Sequence, residues 1–284
     1  MIKSVTLKNG ISVPAIGQGT WCLGDRVGNR ANEIKALRTG IEAGMTLLDT
    51  AEMYGEGRSE QLVGEAIRPY RRESLFLVSK VLPVHAGRKD MRRSCEASLQ
   101  RLGTDYLDLY LYHWRGRIPL AETVECLEAL KRDGLIREWG VSNFDTDDME
   151  ELFRIGAGEN CLVNQVLYHT GSRGIEYSLL PWMNEHRVTL MSYCPLAQAG
   201  ALKKGLMEHP VLKEIAGVHS ASVSQIMLAW NIRNGATIAI PKSGNAEHVL
   251  DNVKAAELLL DESEWEMLRQ AFPAPEHKTP LDME

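Results

Sequence analysis

Apolar and polar positions along this chain follow two periods. At the start, VTLKNGISV (5–13) places apolar residues at every second position around Asn9-Gly10, the dipeptide that most strongly signals a small hairpin. Short apolar runs then recur at 14–19, 45–50, 74–80, 106–114, 136–143, 161–166, 188–196 and 237–243, which makes eight candidate strands. Between them the spacing turns helical. Ile34, Leu37 and Ile41 precede Gly44; Met91, Cys95, Leu99 and Leu102 precede Gly103; Leu120, Val124, Leu127 and Leu130 precede Gly134. Glycine is the residue that best closes a helix, so each segment carries its own stop.

Strands that alternate with helices imply right-handed crossovers and a parallel sheet. Eight such units in 284 residues fit an α/β (β/α)8 barrel, with an open doubly wound sheet as the alternative. No composition break divides the chain, so a single domain over residues 1–284 is expected, ending in an extra helix (261–272) and a short polar tail (273–284).

Hydrophobic residues at 44% and charged residues at 25% predict a folded globular chain. The net charge of −6 comes without a basic run, so nucleic acid is not expected as a partner. The first residues lack an apolar stretch of signal-peptide length and no run of about 18 apolar residues follows, so a cytoplasmic protein without membrane contact is expected. Cys22, Cys95, Cys126, Cys161 and Cys194 are scattered and never form C-x-x-C, which suggests buried, reduced thiols rather than disulfides or a zinc site.

A parallel barrel gathers its active residues at the C-terminal ends of its strands. Those ends read Asp49, Lys80, His113, Ser142 with Asn143, Gln165, Tyr193 and Lys242. Asp49 and Lys80 on adjacent strands can pair; taken alone they fit a structural ion pair equally well. Tyr54 shifts the balance, because a phenol with a pKa near 10 donates a proton at neutral pH only when its anion is stabilised. Lys80 would then tune Tyr54 and Asp49 would hold Lys80, while His113 would orient a carbonyl or relay a proton. A satisfied core histidine is the plainer reading of His113.

A polarised carbonyl, a tuned phenol and no metal ligands suggest reduction of an aldehyde or ketone, which needs a hydride that side chains cannot supply and so implies a nicotinamide cofactor. GQG (17–19) lacks the third glycine of a dinucleotide fingerprint, so a Rossmann site is not expected. IPKSGNAEH (240–248) offers Lys242, Ser243 and Asn245 ahead of a helix, where barrels often hold phosphate, although the same residues also make an ordinary helix cap. Asn143 and Gln165 could hold a carboxamide and Tyr193 could stack on a flat ring.

GQGTW (17–21), LLDTAEMYG (47–55), VSK (78–80), LYHW (111–114), GVSN (140–143), NQV (164–166), SYCPLAQ (192–198) and IPKS (240–243) resemble the aldo-keto reductases over nearly the whole chain. The resemblance implies a barrel closed at its base by the hairpin and a catalytic tetrad of Asp49, Tyr54, Lys80 and His113. It also implies NADPH ahead of NADH. Ser142, Asn143 and Gln165 would hold the carboxamide and Tyr193 would stack on the nicotinamide. Gly19, Thr20, Pro195 and Leu196 would line the rest of the cofactor site, with Lys242, Ser243, Asn245, His248 and Asn252 toward the adenosine phosphate. Trp21, Met53 and Trp114 would line the substrate pocket.

DTAEMYG, NQVLYHTGSRGIEYSLLPW and CPLAQAG further resemble a bacterial subgroup, the methylglyoxal reductases, which implies small 2-oxoaldehydes as substrates and a role in aldehyde detoxification, while the family resemblance as a whole implies a monomer. The chain departs from the family pattern in two places. Where many members carry an arginine for the 2′-phosphate it has His248, which cannot make a bidentate contact. Its tail is short, which predicts a wide mouth and loose specificity. A cofactor-sensing barrel with little turnover is the rival from another class. A metal-dependent hydrolase finds no His/carboxylate cluster at the strand ends.

Overall fold

The structure is a computed structural model that describes residues 2–197 and 200–283. Strands β1 (Ser4–Thr6) and β2 (Ser12–Pro14) form the antiparallel hairpin. Eight parallel strands follow: β3 (Gln18–Gly19), β4 (Leu47–Asp49), β5 (Phe76–Val81), β6 (Leu107–Tyr112), β7 (Ile136–Ser142), β8 (Val163–Leu167), β9 (Thr189–Tyr193) and β10 (Thr237–Ala239), paired in sequence order. Helices α1 (Arg30–Glu42), α2 (Arg58–Ile67), α3 (Met91–Leu102), α4 (Leu120–Arg132), α5 (Thr146–Phe153) and α6 (Leu179–Glu185) each join one strand to the next. The crossover from β9 to β10 carries α7 (Gly200–Glu208), α8 (Pro210–Val218) and α9 (Val223–Asn231), and α10 (Ala246–Lys254) and α11 (Glu262–Ala271) end the fold.

The sheet closes on itself, which rules out the open doubly wound alternative. Ile16 bridges Ala239 and Gly19 bridges Lys242, both parallel. The seam is held by Gly17 N–H to the Ala239 carbonyl (2.8 Å), Ala239 N–H to that of Ala15 (2.8 Å) and Gly19 N–H to that of Pro241 (3.1 Å). The expected glycine stops are present, with Gly44, Gly103 and Gly134 at φ 97°, 67° and 78°. The expected extra helix is α11, opened by a capping box between Asp261 and Glu264.

Strand periodicity decides which residues point into the barrel. Phe76 and Val78 join the inner cluster with Leu47, Leu109, Leu111, Val163, Met191 and Ile238, while Leu48, Leu77, Val81, Tyr110, Val141, Val166 and Leu190 pack outward beneath the helices. Counting on by two from the inner residues reaches Asp49, Lys80, His113, Gln165 and Tyr193. Val5, Leu7 and Val13 of the hairpin belong to the same inner cluster and plug the opposite end. A water-filled base is thereby avoided, at a gain of about 1.5–3 kcal/mol for each large side chain buried.

The expected hairpin forms, its connection running over 7–11: Leu7 N–H bonds to the Ile11 carbonyl (2.8 Å) and Asn9 Oδ1 accepts from Ile11 N–H (3.2 Å). Two expectations need correction. The first barrel strand is only Gln18–Gly19, because the preceding residues leave the hairpin and cross the base. Of the cysteines, Cys95 and Cys161 are buried, with burial pushing their thiols up to about 12, but Cys22 is exposed and Cys126 and Cys194 are half-buried.

At the seam, a Cβ on Gly19 would stand 2.7 Å from the Ile240 carbonyl oxygen, whereas one on Gly10 (φ 87°) would meet nothing within 4 Å. Gly19→Ala is expected to lower unfolding stability by about 1–3 kcal/mol. Gly10→Ala should cost about 1–2 kcal/mol through backbone strain alone. Urea titration checks both costs, and a cofactor titration should also tell the two apart, since Gly19 and not Gly10 lines the cavity at the barrel mouth.

Candidate active site

At the C-terminal mouth of the barrel, β4 and β5 run side by side with Asp49 opposite Val78, so Lys80 rises beside the carboxylate. Lys80 Nζ donates to Asp49 Oδ1 (2.9 Å), Asp49 Oδ2 (2.8 Å) and the Thr50 carbonyl (2.8 Å). Lys80 is 0% and Asp49 2% exposed, so all three ammonium protons are satisfied inside the protein. Burial lowers the Lys80 pKa while the Asp49 charge opposes the shift. Gln165 Nε2 donates a third hydrogen bond to the carboxylate, at 2.8 Å from Oδ1.

Tyr54 begins the short turn Tyr54–Gly57, in which Gly55, Glu56 and Gly57 all have left-handed backbone angles (φ 56°, 55° and 88°). Lys80 Nζ stands 4.7 Å from the Tyr54 ring centroid, and the His113 ring meets Tyr54 edge-on at 5.8 Å. Burial, then the Asp49 charge, hold the Tyr54 phenol well above its ordinary value. This reverses the expected direction: the ammonium is engaged by Asp49 and does not draw the phenol down. His113 is buried, and that burial together with Lys80 pushes its pKa down to about 2, so the ring is neutral. Its Nδ1 has no hydrogen-bond partner among the described residues, so the plainer reading of a satisfied core histidine fails.

These side chains border a cavity of about 590 Å³. Gly19, Thr20, Trp21, Met53, Trp114, Ser142, Asn143, Gln165, Tyr193, Pro195, Leu196 and Lys242 line it as expected, alongside Asp49, Tyr54 and His113. Asn143, at φ 57°, donates from Nδ2 to the His113 carbonyl (3.3 Å) and accepts from Tyr193 O–H (2.9 Å). Ser142 Oγ donates to the Gln165 carbonyl (2.8 Å). Thr20 Oγ1 donates to the Asp49 carbonyl (2.9 Å), which commits its hydroxyl to the scaffold.

A second cavity of about 610 Å³ shares Cys22 and Lys242 with the first and continues it toward α10. Lys242, Ser243, Asn245 and His248 line it; Asn252 is buried and lines neither cavity. Asn245 Oδ1 accepts from Glu247 N–H (2.7 Å) and His248 N–H (3.3 Å), so the helix cap foreseen as the plainer reading is formed. No described carboxylate pairs with Lys242.

Several lining residues escaped sequence reading: Cys194, Ala197, Lys203 and Met283 in the first cavity, and Arg26, Asn29 and Asn32 in the second. Lys203 and Asn32 look like solvated helix positions and Arg26 and Asn29 like loop residues, while Met283 is far along the chain from most of the residues that line the cavity with it. Met283 shows that the tail, short as it is, reaches the cavity. The tail folds back, with Asp282 accepting from Ser172 Oγ and Lys278 Nζ 3.1 Å from Asp147 Oδ1, which brings Met283 to the cavity edge.

The family model for the Aldo/keto reductase family matches residues 15–272. The chain belongs to the aldo/keto reductase family. It is 50% identical over 281 residues, 99% of each chain, to the methylglyoxal reductase YeaE of Escherichia coli K12. It is 34% identical over 267 residues, 93% of this chain and 91% of the relative, to the glyoxal reductase of Bacillus subtilis. An aldo/keto reductase from Klebsiella pneumoniae, solved in complex with NADP and acetate, superposes with a TM-score of 0.97 at 51% identity over 100% of both chains.

The neutral imidazoles of this family member bear on its acid stability. His113 is depressed to about 2 and His169, also by burial, to about 4, both below the ordinary 6.5. The unfolded chain therefore binds more protons than the folded one below pH ~6.5, and stability should fall with pH from there by up to about 1.4 kcal/mol per pH unit for each histidine. His113→Gln is expected to flatten that decline. Urea midpoints from pH 7 to 4.5 check it; an unchanged slope would mean that His113 is already protonated in the fold.

Proposed function

We propose that this chain is an NADPH-dependent reductase of small aldehydes and ketones, with 2-oxoaldehydes such as methylglyoxal as its preferred class, acting in the cytoplasm as a monomer. The observation that carries the proposal is the Tyr54 ring 4.7 Å from the Lys80 ammonium, beside a neutral His113 with an orphaned nitrogen, at one end of a continuous groove. The relatives named for methylglyoxal and glyoxal support the substrate class, and the NADP-bound Klebsiella structure supports the cofactor.

The groove suits a dinucleotide in its chemistry. Amides and the Tyr193 ring lie at the reactive end and Lys203 and Lys242 further along, so Asn143, Gln165 and Tyr193 would hold the nicotinamide and the lysines the phosphates. No described hydrogen bond engages Gln165 Oε1, which leaves an acceptor for a carboxamide N–H. NADPH, when bound, supplies the hydride for the carbonyl carbon.

The protein's own residues handle the oxygen. A neutral imidazole whose Nδ1 lacks a partner is best protonated on the other nitrogen, because an unpaired buried N–H costs more than an unpaired lone pair. His113 Nε2–H then donates to the carbonyl oxygen and orients it. Tyr54, kept fully protonated by its raised pKa, releases its proton only when that oxygen gains negative charge. Lys80, fixed by Asp49 and unable to swing away, stabilises the phenolate left behind. The alcohol product carries the transferred proton, and Tyr54 regains its own from solvent.

Trp21, Met53 and Met283 give the mouth an apolar rim, each at least 40% exposed, with little to pair with the hydroxyls of an open-chain sugar. Purified protein should consume NADPH faster with methylglyoxal than with an aromatic aldehyde or a sugar, followed by loss of nicotinamide absorbance. Tight NADPH binding with no turnover of any carbonyl would replace the reductase by a cofactor sensor. Tyr54→Phe is expected to lower kcat by about 10²–10⁴-fold while NADPH affinity stays within about two-fold. Undiminished turnover would remove Tyr54 from proton donation.

A further inference from the structure

His248 stands where a bidentate phosphate contact would be wanted, yet the cavity it lines contains a guanidinium from another part of the chain. Arg26 lies in the loop between β3 and α1 and borders the same 610 Å³ space as Lys242, Ser243, Asn245 and His248. We propose that Arg26 is the residue that recognises the 2′-phosphate of NADPH, supplied across the groove from the start of α1 in place of an arginine on α10. The inference rests on the NADPH reading above and specifies how that cofactor is told apart from NADH.

Two loops bring the groups together. α1 packs against α10, and a Cβ on Gly244 would stand 3.1 Å from Glu33 Cγ, so the chain ahead of α10 touches the first turns of α1. The loop bearing Arg26 is fastened on both sides of the turn. Gly24 (φ 84°) donates from its N–H to Glu33 Oε2 at 2.9 Å, and the Asp25 carboxylate lies 3.6 Å from the Arg58 guanidinium. The two carboxylates nearest the site are thus engaged with groups other than Arg26.

The Arg26 side chain is exposed and has no ion pair or hydrogen bond among the described residues. Lys242, which lines the same cavity, likewise has no side-chain partner among the described residues. Asn29 occupies the N-cap of α1 but its side chain does not cap the helix, and the Asn32 side chain makes no hydrogen bond among the described residues, so two amides also face the cavity uncommitted. By contrast Asn245 is occupied in capping α10. A phosphate monoester carries nearly two negative charges at neutral pH and three strong acceptor oxygens. A guanidinium meets two of those oxygens at once, which an imidazole cannot do. Since NADH lacks this phosphate, Arg26 should act on NADPH alone.

The test measures binding rather than turnover, by calorimetry with NADPH, NADH and 2′,5′-ADP on the full-length chain, for wild type, Arg26→Ala, Arg26→Lys and His248→Arg. Arg26→Ala is expected to weaken NADPH and 2′,5′-ADP by about 10- to 100-fold and leave NADH within about two-fold. Arg26→Lys should recover part of the loss, and His248→Arg combined with Arg26→Ala should recover more by restoring a guanidinium on α10. The wild-type preference for NADPH should also shrink as salt rises. Unchanged NADPH affinity in Arg26→Ala, or an equal loss for NADPH and NADH, overturns the assignment while leaving the reductase in place. A wild type that binds neither NADPH nor 2′,5′-ADP overturns the cofactor reading itself, and the assignment with it.

Discussion

Two charged groups buried in the mouth of the barrel set the terms for everything around them. Asp49 and Lys80 are almost wholly removed from water, a state that costs several kcal/mol for each ion unless the pair is close and its remaining hydrogen-bonding capacity is met. Here it is met: the carboxylate accepts from Lys80 twice and from Gln165, and the third ammonium proton goes to the Thr50 carbonyl. Such a pair is weak evidence for stability, since two well-packed apolar residues would serve as well. What it provides is a positive charge held at one fixed point beneath an aromatic ring.

The neighbouring groups are tuned by the same dryness. Burial keeps Tyr54 protonated and His113 neutral, so the cavity presents two uncharged donors above one fixed cation. In water none of the three would interact strongly with a carbonyl. Inside the barrel, where the dielectric response is low and no reorganisation is needed, each donor counts when charge develops on oxygen. The left-handed turn 54–57 places the tyrosine there, and its two glycines relieve most of the strain that such a turn would impose. Glu56 carries the remainder.

Further along the groove the logic changes from burial to surface charge. Arg26, Lys242 and His248 line an open cavity, and a ligand held there is subject to screening by salt in a way that the dry end is not. The cavity is built from the ends of two helices that are neighbours only because the barrel closes between β10 and β3. The tail works by similar means: Asp282 and Lys278 fasten it to the loop after β8 and to the start of α5, and Met283 is brought to the edge of the mouth.

The sequence by itself determined the alternation of strand and helix, the glycine stops and the strand-end residues, because a period of two along a buried strand fixes which side chains face inward. Asp49, Lys80, His113, Gln165 and Tyr193 are legible for that reason, and Tyr54 is legible in its loop as a phenol close in sequence to the strand-end carboxylate that holds Lys80. Only the tertiary structure decided the closure of the sheet, the pKa direction of Tyr54, and the roles open to Arg26, Lys203 and Met283. Closure depends on hydrogen bonds between the two ends of the barrel. The Tyr54 shift depends on how much water and charge surround the ring. Arg26 and Met283 gain meaning from neighbours more than 100 positions away, and no local pattern of apolar and polar residues encodes contacts of that range.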